Sequence, residues 1–449
     1  MHQTNHHPIR INIPVLILIF AFNWQAFSRA QTALGLGECH EHALKTNNQL
    51  KSTLVNQALA DAQIAQAQAQ RLPGINMNGM YTRIGKITSF TIPMGPTTRT
   101  LQFGTPNRMS FDVKLQMPLF TWGRIGATIA LAETGKSLSI VENSREKVRI
   151  TGQVLQAYYW VAFHAELLRL NRMKLKRAQS LQKITQKRYS AGMVPRLETL
   201  RAGVQVKNAE SAVQDGQDNL RKSKIVLART TGLEHDNFSI RGHLNYLPVE
   251  VDASEILNRA LNVRSELKVF RIQEQMGAHQ IRLARSANKP NLFLFSGYNV
   301  TNGFDPMEPD RFIDNWNAGL QLVVPLFDGF ATRHRVQEAE LKLKNVTLQA
   351  NEIRSVIRMQ VRQALVTLKQ AEHKIIAQQK NIVLARETLQ VAETQYQNGL
   401  VSSLDVLNAQ KILAQNELLY NQAIFNHILA RISLCQSIED FSWFESELK

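Results

Sequence analysis

The chain repeats itself, and the repeat limits what it can fold into more than any other feature. Residues 36–80 align without gaps to 253–297 at an offset of 217, and residues 111–231 align to 318–438 at an offset of 207. Ala43, Leu50 and Pro73 fall on Ala260, Leu267 and Pro290. Pro118-Leu119-Phe120 falls on Pro325-Leu326-Phe327, and Tyr189, Gly192, Leu197 and Leu200 fall on Tyr396, Gly399, Leu404 and Leu407. The ten-residue difference between the offsets lies between Pro73 and Pro118, where a loop is expected to change length. The chain therefore divides into one unit over 31–231, an inter-repeat segment over 232–252, a second unit over 253–436 and a tail over 437–449.

Each unit reads helix, two strands, long helix, turn, helix. The first helix, about 38–70, is rich in Ala and Gln. Alanine loses no side-chain entropy and lets helices approach closely, and Pro73-Gly74 ends the helix. Strands are expected at about 74–84 and 109–118 in the first unit and about 291–301 and 314–325 in the second, with loops over 85–108 and 302–312. Phe111 to Met117 and Trp316 to Leu322 alternate apolar and polar residues, the period of a strand with two unlike faces. Phe293 and Phe295 blur that alternation in the third strand. On the polar face lie Asp112, Lys114, Gln116, Asn315, Asn317 and Gln321, which would line a barrel lumen. Val113, Leu115, Trp316 and Leu320 would meet lipid. Trp122 suits either a membrane interface or a packed core.

No proline falls between Gly123 and Ser190, or between Ala331 and Gln397. At 1.5 Å per residue each stretch makes a helix roughly 100 Å long, far beyond a globular domain. The shorter helices, about 38–70 with 196–231 and 253–287 with 403–436, add end to end to the same length. The simplest packing sets each long helix beside two stacked short ones.

The first thirty residues have the form of a secretory signal. Arg10 supplies charge, Val15 to Phe22 is an apolar core too short to span a bilayer, and Ser28-Arg29-Ala30 precedes a cleavage point at Gln31. An uncleaved anchor is the other reading. Removing residues 1–30 takes away Arg10 and Arg29, so the net charge of +17 falls to +15. Beyond them no apolar stretch reaches the ~18 residues of a membrane helix, so an exported chain that uses a membrane must use strands. Four strands cannot close a barrel, and open edges in lipid leave backbone groups unsatisfied. Three chains pooling four strands each give a closable ring. The fold class expected is mixed and mostly α, a long periplasmic helical barrel joined to a transmembrane β-barrel shared between subunits.

The excess of Lys and Arg is spread along helical stretches, so no nucleic-acid partner is expected. Two cysteines, Cys39 and Cys435, exclude a disulfide framework and a zinc ribbon. One bridge and two free thiols both remain open. No Walker loop, dinucleotide glycine motif or HExxH occurs, so neither an enzyme nor a cofactor is expected. His40 with His42, and His235 with His243, lack companion ligands at metal-binding spacing.

Gly192 and Gly399 fall where the long helices reverse and supply the left-handed residue of a C-cap. Asp405 opens the following helix. It fits the capping pattern Ser402-x-x-Asp405, and three copies around one axis would also make a cation-selective carboxylate ring. Glu198 and Arg196, in the other hairpin, are placed to hold a closed state through ion pairs with neighbours.

The duplicated plan resembles the TolC-like outer-membrane efflux proteins over nearly all of residues 36–438. The Pro-Leu-Phe motifs at 118–120 and 325–327, followed by Gly123 and Gly329, are similar to that family's junction between barrel and helix. Tyr396-Gln397-Asn398-Gly399-Leu400-Val401, followed by Asp405-Val406-Leu407, is similar to its periplasmic tip. The resemblance implies a homotrimer with a twelve-strand barrel in outer-membrane lipid over a helical tunnel. It implies a periplasmic adaptor and an inner-membrane pump as partners, and export of drugs or other small compounds. The tips, with Tyr189, Gly192, Met193 and Val194 on one turn and Tyr396, Gly399, Leu400 and Val401 on the other, would receive adaptor helices. Asp405 resembles the first of two gate aspartates, and the second position holds Asn408, which halves the charge of the ring. The family often has a proline before Leu50, absent here and before Leu267. The same fold also serves as the exit duct of type I protein secretion. A periplasmic coiled-coil adaptor or scaffold is the alternative from another class.

Overall fold

The computed structural model describes residues 33–305 and 308–448 of the chain; the segment read as a signal lies outside them. After a short strand β1 (Ala33–Leu34), the first unit runs α1 (Leu36–Thr46), α2 (Asn48–Ala69), β2 (Gly74–Arg83), β3 (Thr88–Met94), β4 (Thr97–Phe103), β5 (Asn107–Phe120), α3 (Arg124–Ser190) and α4 (Arg196–Thr231). The inter-repeat segment holds β6 (Ser239–Ile240). The second unit runs α5 (Ala253–Val263), α6 (Ser265–Arg285), β7 (Asn291–Thr301), β8 (Ile313–Val323), α7 (Ala331–Gln397) and α8 (Ser403–Ile438). A 3-10 turn (Ser442–Phe444) and α9 (Glu445–Leu448) end it.

The two long helices have 67 residues each, roughly 100 Å. α3 packs against α2 and α4 and also against α6 and α8, while α7 packs against α6 and α8. The helical wall is thus four columns in the order α2/α4, α3, α6/α8, α7. The two outer columns keep large apolar side chains in the open. They include Leu54, Leu59, Leu200 and Val204 on one, and Leu341, Leu348, Val366 and Val383 on the other.

The single helix expected over about 38–70 is two helices. Asn47 takes an extended conformation (φ −61°, ψ 117°), and its Oδ1 accepts from the Gln49 and Leu50 N–H groups at 2.9 and 3.2 Å. In the second unit the break falls at Arg264, and Glu439 accepts from the N–H and hydroxyl of Ser265 at 3.0 and 2.6 Å. Side-chain caps thus start both second helices where a proline is missing.

The segment 85–108 also departs from expectation, because it contains a hairpin. β3 and β4 pair from Thr88↔Phe103 to Met94↔Thr97 around Gly95 (φ 66°). Thr88, Thr91, Ile92, Thr97, Thr98 and Thr100 are β-branched and suit a pleated surface. Gly95-Pro96 makes the turn, and Pro93 is tolerated because a two-strand ribbon is all edge.

The four long strands form one antiparallel sheet in the order β2-β5-β7-β8. Its outer strands, β2 and β8, each lack a neighbour on one side among the described residues.

The main core lies midway along the helices, where Ile150, Leu155, Tyr158 and Phe163 of α3 meet Leu36, Leu227, Phe425, Ile432 and Phe444. Parallel pairing of β1 with β6 and the buried Phe444 bind the segments outside the two units to this core. Cys39 and Cys435 sit in it as free thiols, each pushed up to about 12 by burial. His40 Nε2 lies 2.9 Å from Thr151 Oγ1, and His42 Nδ1 lies 2.7 Å from the Thr231 carbonyl, so both rings tie helices together.

Candidate functional site

The residues singled out from the sequence lie in two regions: the ends of the long helices and the polar face of the sheet. Strand register settles that face. Asp112 lies beside Asn78 and Asn299, and Asn299 beside Asn315. Lys114 lies beside Asn76 and Gly297, and Gly297 beside Asn317. Gln116 lies beside Phe295, and Gln321 beside Phe293. Directly paired residues share a side of a pleated sheet, so all six polar residues named from the sequence stand together. Asp112 Oδ2 accepts from Asn78 Nδ2 and Lys114 Nζ, both at 3.0 Å. Phe295 fits on this face because Gly319 opposite it has no side chain; a Cβ there would come within 3.0 Å of the ring. The other face holds Val113 beside Met77 and Tyr298, with Trp316 beside Tyr298, and it is apolar.

At the far end, two turns reverse the chain. Gly192 (φ 74°) and Gly399 (φ 77°) take the left-handed conformation that stops α3 and α7. Met193 and Leu400 stand out into solvent at 70% and 73% exposure. Tyr189 is exposed as well, and Val194 and Val401 are half-buried. Tyr396 differs from the rest of this set, because it is only 2% exposed. Its hydroxyl stands 3.2 Å from Thr185 Oγ1 and 3.4 Å from Glu198 Oε2. Thr185 already donates to the Leu181 carbonyl at 2.9 Å, so the phenol donates to one of these two oxygens. The Arg188 guanidinium lies over the Tyr396 ring at 4.7 Å and donates to the Tyr396 carbonyl. One tyrosine therefore joins the α3–α4 hairpin to the α7–α8 hairpin.

Glu198 meets Tyr396 rather than a cation, and Arg196 is exposed with no ion-pair partner among the described residues. Behind Tyr396 a hollow of about 450 Å³ lies between α3, α7 and α8. Arg177 on its wall donates twice to Glu417 at 3.0 and 3.1 Å, a second strap between the hairpins. Asp405 Oδ2 accepts from the Ser402 hydroxyl at 2.7 Å and the Ser402 N–H at 2.9 Å. Those bonds hold its carboxyl below the ordinary carboxylate range. Asp405 and Asn408 lie three residues apart on α8 and line one hollow of about 560 Å³ between α7 and α8.

Sequence reasoning missed Arg188, Thr185, Arg177 and Glu417. Thr185 and Arg188 are one helical turn apart and share a face, but nothing in the sequence says that Tyr396 lies against it. Among the described residues no group of His, Cys, Asp and Glu is placed to hold a metal ion, and no helix is long and apolar enough to cross a membrane.

Comparison with known proteins places this architecture. Nodulation protein T of Rhizobium leguminosarum bv. trifolii is 22% identical over 392 residues, covering 83% of this chain and 79% of its own. The cation efflux system protein CusC of Escherichia coli strain K12 is 23% identical over 384 residues, covering 83% and 79%. A crystal structure of CusC superimposes with a TM-score of 0.74 at 18% identity, covering 92% of this chain and 93% of that one. The family described as outer membrane efflux protein matches residues 40–233 and 256–438, one stretch in each unit. The chain belongs to the outer membrane efflux protein family, TolC-like channels of the outer membrane that reach into the periplasm.

Proposed function

We propose that three copies of this chain form the outer-membrane duct of a tripartite efflux system that exports small, toxic compounds. The observation that carries this reading is the sheet whose two edges, β2 and β8, have no partner among the described residues, fused to helices roughly 100 Å long. Unpaired edges are excluded from lipid. Joining the β8 edge of one copy to the β2 edge of the next closes a twelve-strand ring without leaving one. The same operation brings the apolar outer face of α7 onto that of α2 and α4 in the next copy, which continues the wall downward. On this reading the polar sheet face lines the pore. The exposed turns at Gly192 and Gly399 receive a periplasmic adaptor, and an inner-membrane pump selects the cargo.

In the same arrangement Asp405 and Asn408 face the axis near the tip and form a constriction with one carboxylate per subunit. Glu198 and Arg196 lie in the neighbouring hairpin, next to the strap through Tyr396 that must loosen for the tip to widen. Deleting the gene and profiling the cells tests the cargo. Sensitivity to several unrelated small toxicants, with secreted proteins unchanged, is the expected outcome. Loss of a secreted protein with unchanged sensitivity would reassign the chain to protein secretion.

A further inference from the structure

Where β5 and β7 leave the sheet, the start of α3 and the end of α6 run side by side and enclose a hollow of about 450 Å³. Trp122 follows β5 by two residues and Lys289 precedes β7 by two, and these two strands are paired neighbours. The hollow therefore sits at the foot of the sheet, on the rim that faces the periplasm. In the head-to-tail ring proposed above, on which this inference rests, α3 and α6 are inner columns of one subunit and a neighbouring copy leaves the hollow uncovered.

Its lining is basic. Arg282 and Arg285 from the last turn of α6, and Lys289 beyond it, reach the cavity, and no lining residue is acidic. Arg285 also pairs with Glu340 at 2.9 Å. Arg282 and Lys289 have no ion-pair partner among the described residues. His279 adds a buried Nδ1 that has no hydrogen-bond partner. At Gly126 the wall is open, since a Cβ there would meet nothing within 4 Å. The macrodipole of α6 favours cations in its last turn. That accounts for Arg282 and Arg285 one at a time, but not for Lys289 outside the helix or for a cavity shared by all three.

The apolar border identifies the ligand. Trp122 is 53% exposed, held in the left-handed region (φ 47°), and packs edge-on against Phe120 at 5.1 Å between ring centres. Phe120 is opposite Leu292, which lies on the apolar face of the sheet with Leu294 and Tyr298. The indole thus stands on the lipid side of the hollow, at the level where amphipathic rings meet headgroups. Arginine and lysine with spare donors bind phosphate oxygens, and basic pockets beside a membrane segment bind anionic headgroups.

We propose that this hollow binds the phosphodiester headgroup of an anionic phospholipid of the periplasm-facing leaflet. Arg282 and Lys289 hold the phosphate, and Trp122 and Phe120 lie along the first part of the acyl chains. The test uses the purified full protein in phosphatidylcholine nanodiscs with a minor fraction of phosphatidylglycerol, and counts the lipids retained per protein by native mass spectrometry. Wild type is expected to enrich phosphatidylglycerol several-fold over its bulk fraction. The Arg282→Gln/Lys289→Gln double variant is expected to fall to the bulk fraction, and Lys289→Arg to keep the enrichment. The two replaced side chains make no hydrogen bond within the fold among the described residues, so the double variant keeps its structure. Equal retention by wild type and double variant overturns the site. Saturable binding of inorganic phosphate in detergent, lost in the double variant and with no enrichment of the lipid, overturns it in favour of a free anion.

Discussion

Two influences meet on the carboxyl of Asp405: its bonds to Ser402, and the ring of charge proposed for the assembled pore. The bonds depress its pKa, so their contribution to folding is present above the ordinary carboxylate pKa and is lost as pH falls through the lowered value. Block of the pore by divalent cations should follow the charged form and be lost as falling pH protonates the carboxyl. Ser402→Ala removes the hydroxyl, the largest cause of the shift, and should move the midpoint of block upward in planar bilayers. Repulsion among the copies is common to both proteins and cancels. A midpoint that stays in place or moves down removes Ser402 from the control of this charge. At this scale the sequence tells least. Asp405 and its cap are four consecutive residues, readable as a local pattern, whereas Tyr396 is buried by Arg188 and Thr185, more than two hundred residues away. A contact of that range leaves no mark on either segment.

Elements were far more legible, because period and length act locally. Prolines and their absence set α3 and α7, and alternation set β5 and β8. The breaks at Asn47 and Arg264 were missed because neither position carries the proline or glycine that marks a helix end in a sequence. What turns Asn47 into a cap is the extended backbone that lets its side chain serve two N–H groups. Asn47→Ala should therefore cost about 1 kcal/mol, and Asn47→Asp much less, since both Asn and Asp cap well. Midpoints of chemical denaturation measure this, and equal losses in the two variants would refute the capping account. The β3–β4 hairpin was hidden for another reason. Its Thr-rich strands flank glycine and proline, which read as loop, while the cross-strand pairing that makes it a ribbon joins residues up to fifteen positions apart.

For the molecule as a whole, the proposed assembly rests on the apolar residues left open on the outer columns. They are spread along roughly 100 Å of helix, so in the proposed ring their burial between copies would outweigh any single contact at the tip. Leu348 and Val366 are exposed on α7, and a pair of carboxylates there should leave the subunit folded but block its wall. Leu348→Asp/Val366→Asp is expected to lower the mass in detergent, measured by light scattering, from three chains to one. A double variant that remains trimeric would show that the sheet edges alone hold the ring.

The two bare margins of the sheet bear on inheritance as well as architecture. In a head-to-tail ring each copy offers one margin and receives another, so a copy spoiled on one side alone still captures a sound neighbour with the other. If half of a cell's subunits carry such a lesion, roughly one ring in eight is built from sound copies only. A damaged allele expressed beside an intact one should then behave as a poison rather than a mere absence.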